Sequence, residues 1–159
     1  MRTVLLRSLL LSAPVIFAVH VMEEAPGFVT WVNGHIDRDI TQLSFWTVNF
    51  TALLITLAVI FFEWVSASKP SAIAVLGWLG VLMVGNAVLH IGAAVVDRAY
   101  VPGVVTAILL YLPFSGLVVA RLIRSRRVSP SAAAIAIVVG ATPMLAHGYM
   151  ILFRGTRLF

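Results

Sequence analysis

No cysteine occurs in the 159 residues. Disulfides, thiolate-held metals and a cysteine nucleophile are thereby excluded. Charge is scarce as well: 11% of residues are charged, against roughly 25% in soluble domains. Lysine occurs once, at Lys69. The chain has no low-complexity tract, no internal repeat and no strand-type alternation. What remains is 61% hydrophobic, with a mean hydropathy of +1.05. That composition belongs in lipid, and the length suits one domain. The net charge of +5 does not point to nucleic acid. The basic residues sit at the ends of apolar runs, where membrane lipids and orientation account for them. No nucleic-acid partner is expected.

The apolar segments are residues 4–22, 44–65, 72–96, 101–120 and 132–153. Each is near the ~20 residues that carry a helix across the hydrocarbon layer. In lipid only helices and closed barrels satisfy their own backbone. The expected fold is all-α: a polytopic membrane protein, a bundle of five transmembrane helices in one domain, 1–159. Lys69-Pro70-Ser71 and Ser129-Pro130-Ser131 mark the starts of the third and fifth helices. Tyr100-Val101-Pro102-Gly103 marks a tight turn into the fourth. The longest connection, 25–43, holds Trp31 among polar residues, which suits an interfacial loop with a short surface helix.

Arg2 and Arg7 ahead of an apolar stretch resemble a signal peptide. The small-x-small cleavage site is missing, so an uncleaved first helix is expected. Arg2, Arg7, Lys69, Arg121, Arg124, Arg126 and Arg127 would share the N-terminal side, here side A. Arg38, Arg98, Arg154 and Arg157 would lie on the opposite side, B. The positive-inside rule then makes the N-terminus cytoplasmic in a plasma (inner) membrane crossed several times.

The polar residues inside the apolar runs converge in depth. His20, Glu23 and Glu24 fall at the side-B end of the first helix, and His90 and His147 about two turns from the side-B ends of the third and fifth. Asn49 lies one turn into the second, and Tyr100, Pro102 and Thr106 open the fourth. Helical phase agrees. His20 is a neighbour of both glutamates, Asn86 shares a face with His90 and Asp97, and Asn49, Thr56 and Glu63 recur every seven residues. Such stripes face the bundle interior, because a charge in mid-bilayer costs roughly 2.5–3.5 kcal/mol on insertion scales. Gly77, Gly80, Gly85 and Gly92 would let neighbouring helices approach.

Imidazole and carboxylate are the ordinary ligands of zinc, iron and manganese. A divalent cation would offset the glutamate charges and give the histidines work without adding charge to lipid. The expected metal ligands are His20, Glu24, His90 and His147, with zinc the first choice of ion and iron or manganese the others. Glu23 is the candidate catalytic base for an ionised water. Asn86 would orient His90 from behind, and Asn49, Asp97, Tyr100 and Thr106 complete the pocket. Each residue also has a plainer reading: Glu23 and Glu24 as the headgroup end of a helix, His90 and His147 as hydrogen-bonded interior histidines, His35 as a loop residue. The zincin pattern H-E-x-x-H and its inverse are absent.

His20-x-x-Glu23-Glu24, Asn86-x-x-x-His90, Tyr100-x-Pro102-Gly103-x-x-Thr106 and the late His147 together resemble the HXXEE-domain proteins, small multi-helix bacterial membrane proteins. The likeness runs from the first helix to the fifth. It implies an all-helical membrane fold and no particular activity. Three functions stay open. One is metal-dependent hydrolysis or oxidation of a lipid-like substrate at an intramembrane site near the non-cytoplasmic side. The second is proton- or cation-coupled transport, for which a homo-oligomer would be expected. The third is a structural or accessory membrane subunit.

Overall fold

The computed structural model describes residues 2–158. Five helices are long and apolar enough to cross a membrane: Leu6–Glu24, Gln42–Ser66, Lys69–Asp97, Val104–Arg124 and Pro130–Arg154, the first to fifth spans in chain order. No strand occurs among the described residues. A short helix, Phe28–Asn33, occupies the connection between the first two spans.

Local chemistry explains where the spans start. Thr41 accepts from the Ser44 amide and caps the second span. Ser68 and Ser71 form a reciprocal capping box at the third, and Ser129 accepts from the Ala132 amide at the fifth. These caps pull each helix past its apolar run: the third starts at Lys69 rather than 72, and the second at Gln42 rather than 44. The fourth starts later than its apolar run, at Val104, because Pro102 and Gly103 make the turn before it. The second and third spans stop on left-handed residues, Ala67 and Arg98, and the fifth on Gly155.

The third span is the central one, with 56% of its most apolar window buried. It crosses the fifth at very close range. A Cβ on Gly140 would stand 2.1 Å from the Gly77 carbonyl oxygen, and one on Gly80 would stand 2.5 Å from that of Ile137. Small residues permit this backbone contact, which lipid-embedded helices use in place of hydrophobic drive. Gly85 is similarly crowded by Met144, whereas Gly92 has nothing within 4 Å and takes no part in the crossing. Apolar side chains such as Leu76, Met83, Val118 and Leu122 fill the interior.

Two spans are locally widened to π-helix, at Gly80–Gly85 in the third and Ala107–Tyr111 in the fourth. In the fourth, Pro113 has no N–H to offer the carbonyl one turn back, so the α-helical ladder cannot close there. π segments recur beside functional sites. Here one precedes Asn86 and the other follows Thr106.

Candidate metal site

The helical spacing of His20 and Glu24, one turn apart in the first span, puts both side chains on its buried face. His90 reaches them from the third span. His20 and His90 are fully buried and Glu24 is 4% exposed. Glu24 Oε1 lies 3.3 Å from His20 Nε2 and 3.0 Å from His90 Nε2. One ligand atom from each of the three lies within 4.8 Å of the other two. Donors bound at about 2.0–2.2 Å to a tetrahedral ion are roughly 3.3–3.6 Å apart; the two carboxylate–imidazole distances come near that, and the imidazole–imidazole pair lies within 4.8 Å.

Distance alone would also allow two ordinary hydrogen bonds, but direction does not. Neither Nε2 atom has a hydrogen-bond partner, although both are buried. The two imidazole nitrogens and the carboxylate oxygen lie together without a hydrogen aligned between them. Such orphaned polar atoms are costly in a dry interior. The residues fit a divalent cation on this observation.

The turn before the fourth span closes over the group. Gly103 adopts φ +98, a left-handed conformation suited to glycine. A Cβ there would stand 2.7 Å from His90 Cε1, 3.0 Å from His20 Cε1 and 3.0 Å from Glu24 Cγ. The Tyr111 ring covers the other side of His20, with centroids 4.2 Å apart, and its buried hydroxyl has no hydrogen-bond partner.

Glu23, adjacent in sequence, has other neighbours. Its Oε1 accepts from the Tyr100 hydroxyl at 2.9 Å and the Val105 amide at 3.1 Å. Its Oε2 accepts from the Thr106 amide at 2.8 Å and the Thr106 hydroxyl at 2.5 Å. Thr106 Oγ1 in turn lies 2.8 Å from His20 Nδ1. Tyr100 and Thr106 thus meet the site through Glu23, with Thr106 also touching His20.

A cavity of about 120 Å³ is lined by Glu24 and His90 together with residues of the second, third and fifth spans. Its walls are mainly apolar, including Phe17, Phe28, Phe45 and Leu82. Asn49, Asn86, His147 and Arg157 also line it. Asn86 Oδ1 and His90 Nδ1 are both buried without a hydrogen-bond partner, and Asn49 donates to the Phe45 carbonyl at 3.0 Å. His147 lies on the cavity wall rather than in the His20–Glu24–His90 group, and its Nδ1 accepts from the Leu158 amide at 3.2 Å. Asp97 is turned toward the loop. It accepts from Trp31 Nε1 at 2.7 Å and lies 3.1 Å from His35 Nε2.

Residues on the site that sequence reading did not single out are Gly103, as its backbone lid, and Tyr111. Gly103 had a signal, since a Pro-Gly turn promises a left-handed residue. Tyr111 had none beyond its place in an apolar run.

Comparison with curated proteins and with solved structures returns no match. A family model does match, over residues 11–118, well over half of the chain. That range contains His20, Glu23, Glu24, His90, Gly103 and Thr106, and ends before His147. Its description is a protein of unknown function with an HXXEE motif. The motif lies at His20–Glu24, at the centre of the buried group, and the chain belongs to the HXXEE family.

Proposed function

We propose that this is a membrane-embedded metalloprotein whose His20, Glu24 and His90 hold one divalent cation, and that the site acts on a lipid-like substrate. The observation that carries it is the pair of buried, unpartnered Nε2 atoms at 3.3 and 3.0 Å from one carboxylate oxygen. Two histidines and one carboxylate form the ligand set of hydrolytic zinc centres, in which a fourth position stays open. Zinc is accordingly the preferred ion. Held there, it would supply Lewis acidity and ionise a water near neutral pH.

The chain's own residues supply the rest. Glu24 and His90 line the cavity, which offers room for a substrate beside the group. The apolar walls suit a hydrocarbon chain and limit bulk water. Asn86 offers an unpartnered carboxamide oxygen to a polar group on that chain. Gly103 and Tyr111 close the site from the other sides and hold the imidazoles in place.

The transport alternative gains less support. Its path from the site toward side A would use Thr56 and Glu63. Thr56 donates to the Ala52 carbonyl and accepts from Trp78, and Glu63 is held by Arg127 and Ser71.

The test is metal content. Protein purified in detergent without chelators is analysed by elemental mass spectrometry, beside His90→Ala. One equivalent of metal in the parent and none in the variant is expected. A parent that stays metal-free even after equilibration with zinc, iron and manganese would overturn the proposal.

A further inference from the structure

Adjacent glutamates at the third and fourth positions after His20 do different things, and the hydrogen bonds say what. Thr106 has one hydroxyl proton. Its oxygen lies 2.5 Å from Glu23 Oε2, 2.8 Å from His20 Nδ1 and 3.3 Å from the Gly103 carbonyl. A carboxylate that already accepts from two backbone amides and the Tyr100 hydroxyl is in its acceptor form, and the shortest of these contacts takes the Thr106 proton. Thr106 Oγ1 is then left as an acceptor toward His20. The Nδ1 atom must carry the hydrogen.

A neutral imidazole has one N–H. With it on Nδ1, Nε2 presents a lone pair, and Nε2 is the atom facing Glu24 Oε1 at 3.3 Å. Lone pair against lone pair in a dry interior is repulsive; with a cation between them it becomes ligation. We propose that Glu23 is a positioning residue. Acting through Thr106, it locks His20 in the Nδ1–H tautomer so that Nε2 is permanently offered to the metal. This rests on the metal reading for its purpose, though not for its geometry.

The arrangement gives the motif a physical meaning. Positions three and four after a helical histidine both lie beside it. One carboxylate, Glu24, turns in to the ligand side. The other, Glu23, turns toward the fourth span, where the Val105 and Thr106 amides belong to the first helical turn and have no partner within the helix. The same bonds tie down the turn that carries Gly103, so the lid and the tautomer are set by one side chain. Outer-sphere partners of metal-bound histidines typically orient the ring and fix its tautomer in this way.

The experiment needs no loaded enzyme. Protein labelled with nitrogen-15 at histidine is prepared metal-free in micelles, with His20 assigned by comparison with His20→Gln. Long-range proton–nitrogen correlations then show which ring nitrogen bears hydrogen. The parent and Thr106→Ser should show Nδ1–H with a bare Nε2. Thr106→Val, which removes the acceptor, should show the Nε2–H form. Zinc affinity by chelator competition should fall about 10–100-fold in Thr106→Val and Glu23→Gln, and recover in Thr106→Ser. An Nε2–H or doubly protonated His20 in the parent overturns the inference, as does an unchanged tautomer in a folded Thr106→Val. A parent with the Nδ1–H form that takes up no zinc upholds the relay and removes the metal proposal instead.

Discussion

Glu24 and Glu63 are both buried carboxylates, 4% and 2% exposed, and they are treated in opposite ways. Glu63, at the side-A end of the second span, is met by the Arg127 guanidinium through both terminal nitrogens and by the Ser71 hydroxyl at 2.7 Å. Arg127 also donates to the Ser68 carbonyl, and only its Nε lacks a partner. A permanently charged, forked donor neutralises the acid and ties the second and third spans to the loop before the fifth. Glu24, toward side B, faces two imidazoles that carry no obligatory charge and align no N–H with it. The first cluster is complete within the protein. The second leaves two buried imidazole Nε2 nitrogens without a hydrogen-bond partner. Burial of a carboxylate is therefore common to both clusters; incompleteness of the pairing is what sets the second apart.

That contrast can be broken or sharpened by substitution. The largest effect on stability should come from Arg127→Met, which strands Glu63 in the interior. A loss of about 3–5 kcal/mol is expected, read as unfolding by denaturant in detergent, and Glu63→Gln in the same chain should return part of it. At the other cluster the loss should appear in binding. His20→Ala or Glu24→Gln should weaken zinc binding beyond the roughly 10–100-fold of an outer-sphere change, measured by competition. The metal-free forms should unfold at or above the parent's midpoint. A large loss of metal-free stability in these variants would make the two clusters alike and remove the distinction.

Gly103→Ala tests the lid. Its Cβ would stand 2.7 Å from His90, and its φ suits glycine. Strain of about 1–3 kcal/mol is expected, with zinc affinity reduced although no ligand is altered. The smallest effect concerns His35. Burial alone would lower its pKa, but the Trp31 carbonyl and Asp97 outweigh burial and hold it above 6.5. A pKa raised on folding adds stability that is complete below the unfolded value and is lost as pH rises through the folded one. His35→Gln should therefore reduce stability below about pH 6.5 and have little effect well above it. A partly exposed pair is worth about 0–1 kcal/mol. Equal destabilisation at all pH values would show that the ring acts by packing alone.

Much of this was legible beforehand. The five spans and the short helix between the first two follow from composition and a 3.6-residue period; of the stripe Asn49, Thr56 and Glu63, the last two are buried and Asn49 is half-buried on the cavity wall. His20, Glu24 and His90 were recognisable as a group by depth. Depth is only one coordinate, however. His147 was expected at a similar level, yet it is on the cavity wall beside the tail. Asp97 shares a helical face with His90, yet it sits two turns farther along, where Trp31 and His35 take its two oxygens. The two glutamates could not be told apart from their order, since either flanks His20 on the helix.

The sequence by itself determined that the chain is a set of membrane-length helices and that ionisable groups lie near one end, because hydropathy and spacing are local properties. Only the tertiary structure decided which of those groups share a point in space and how each is hydrogen-bonded. The fourth span brings Thr106 between Glu23 and His20, and it brings Gly103 over the imidazoles. A third strand of chain is needed to make two adjacent acids different, and no pattern along a single helix can contain that.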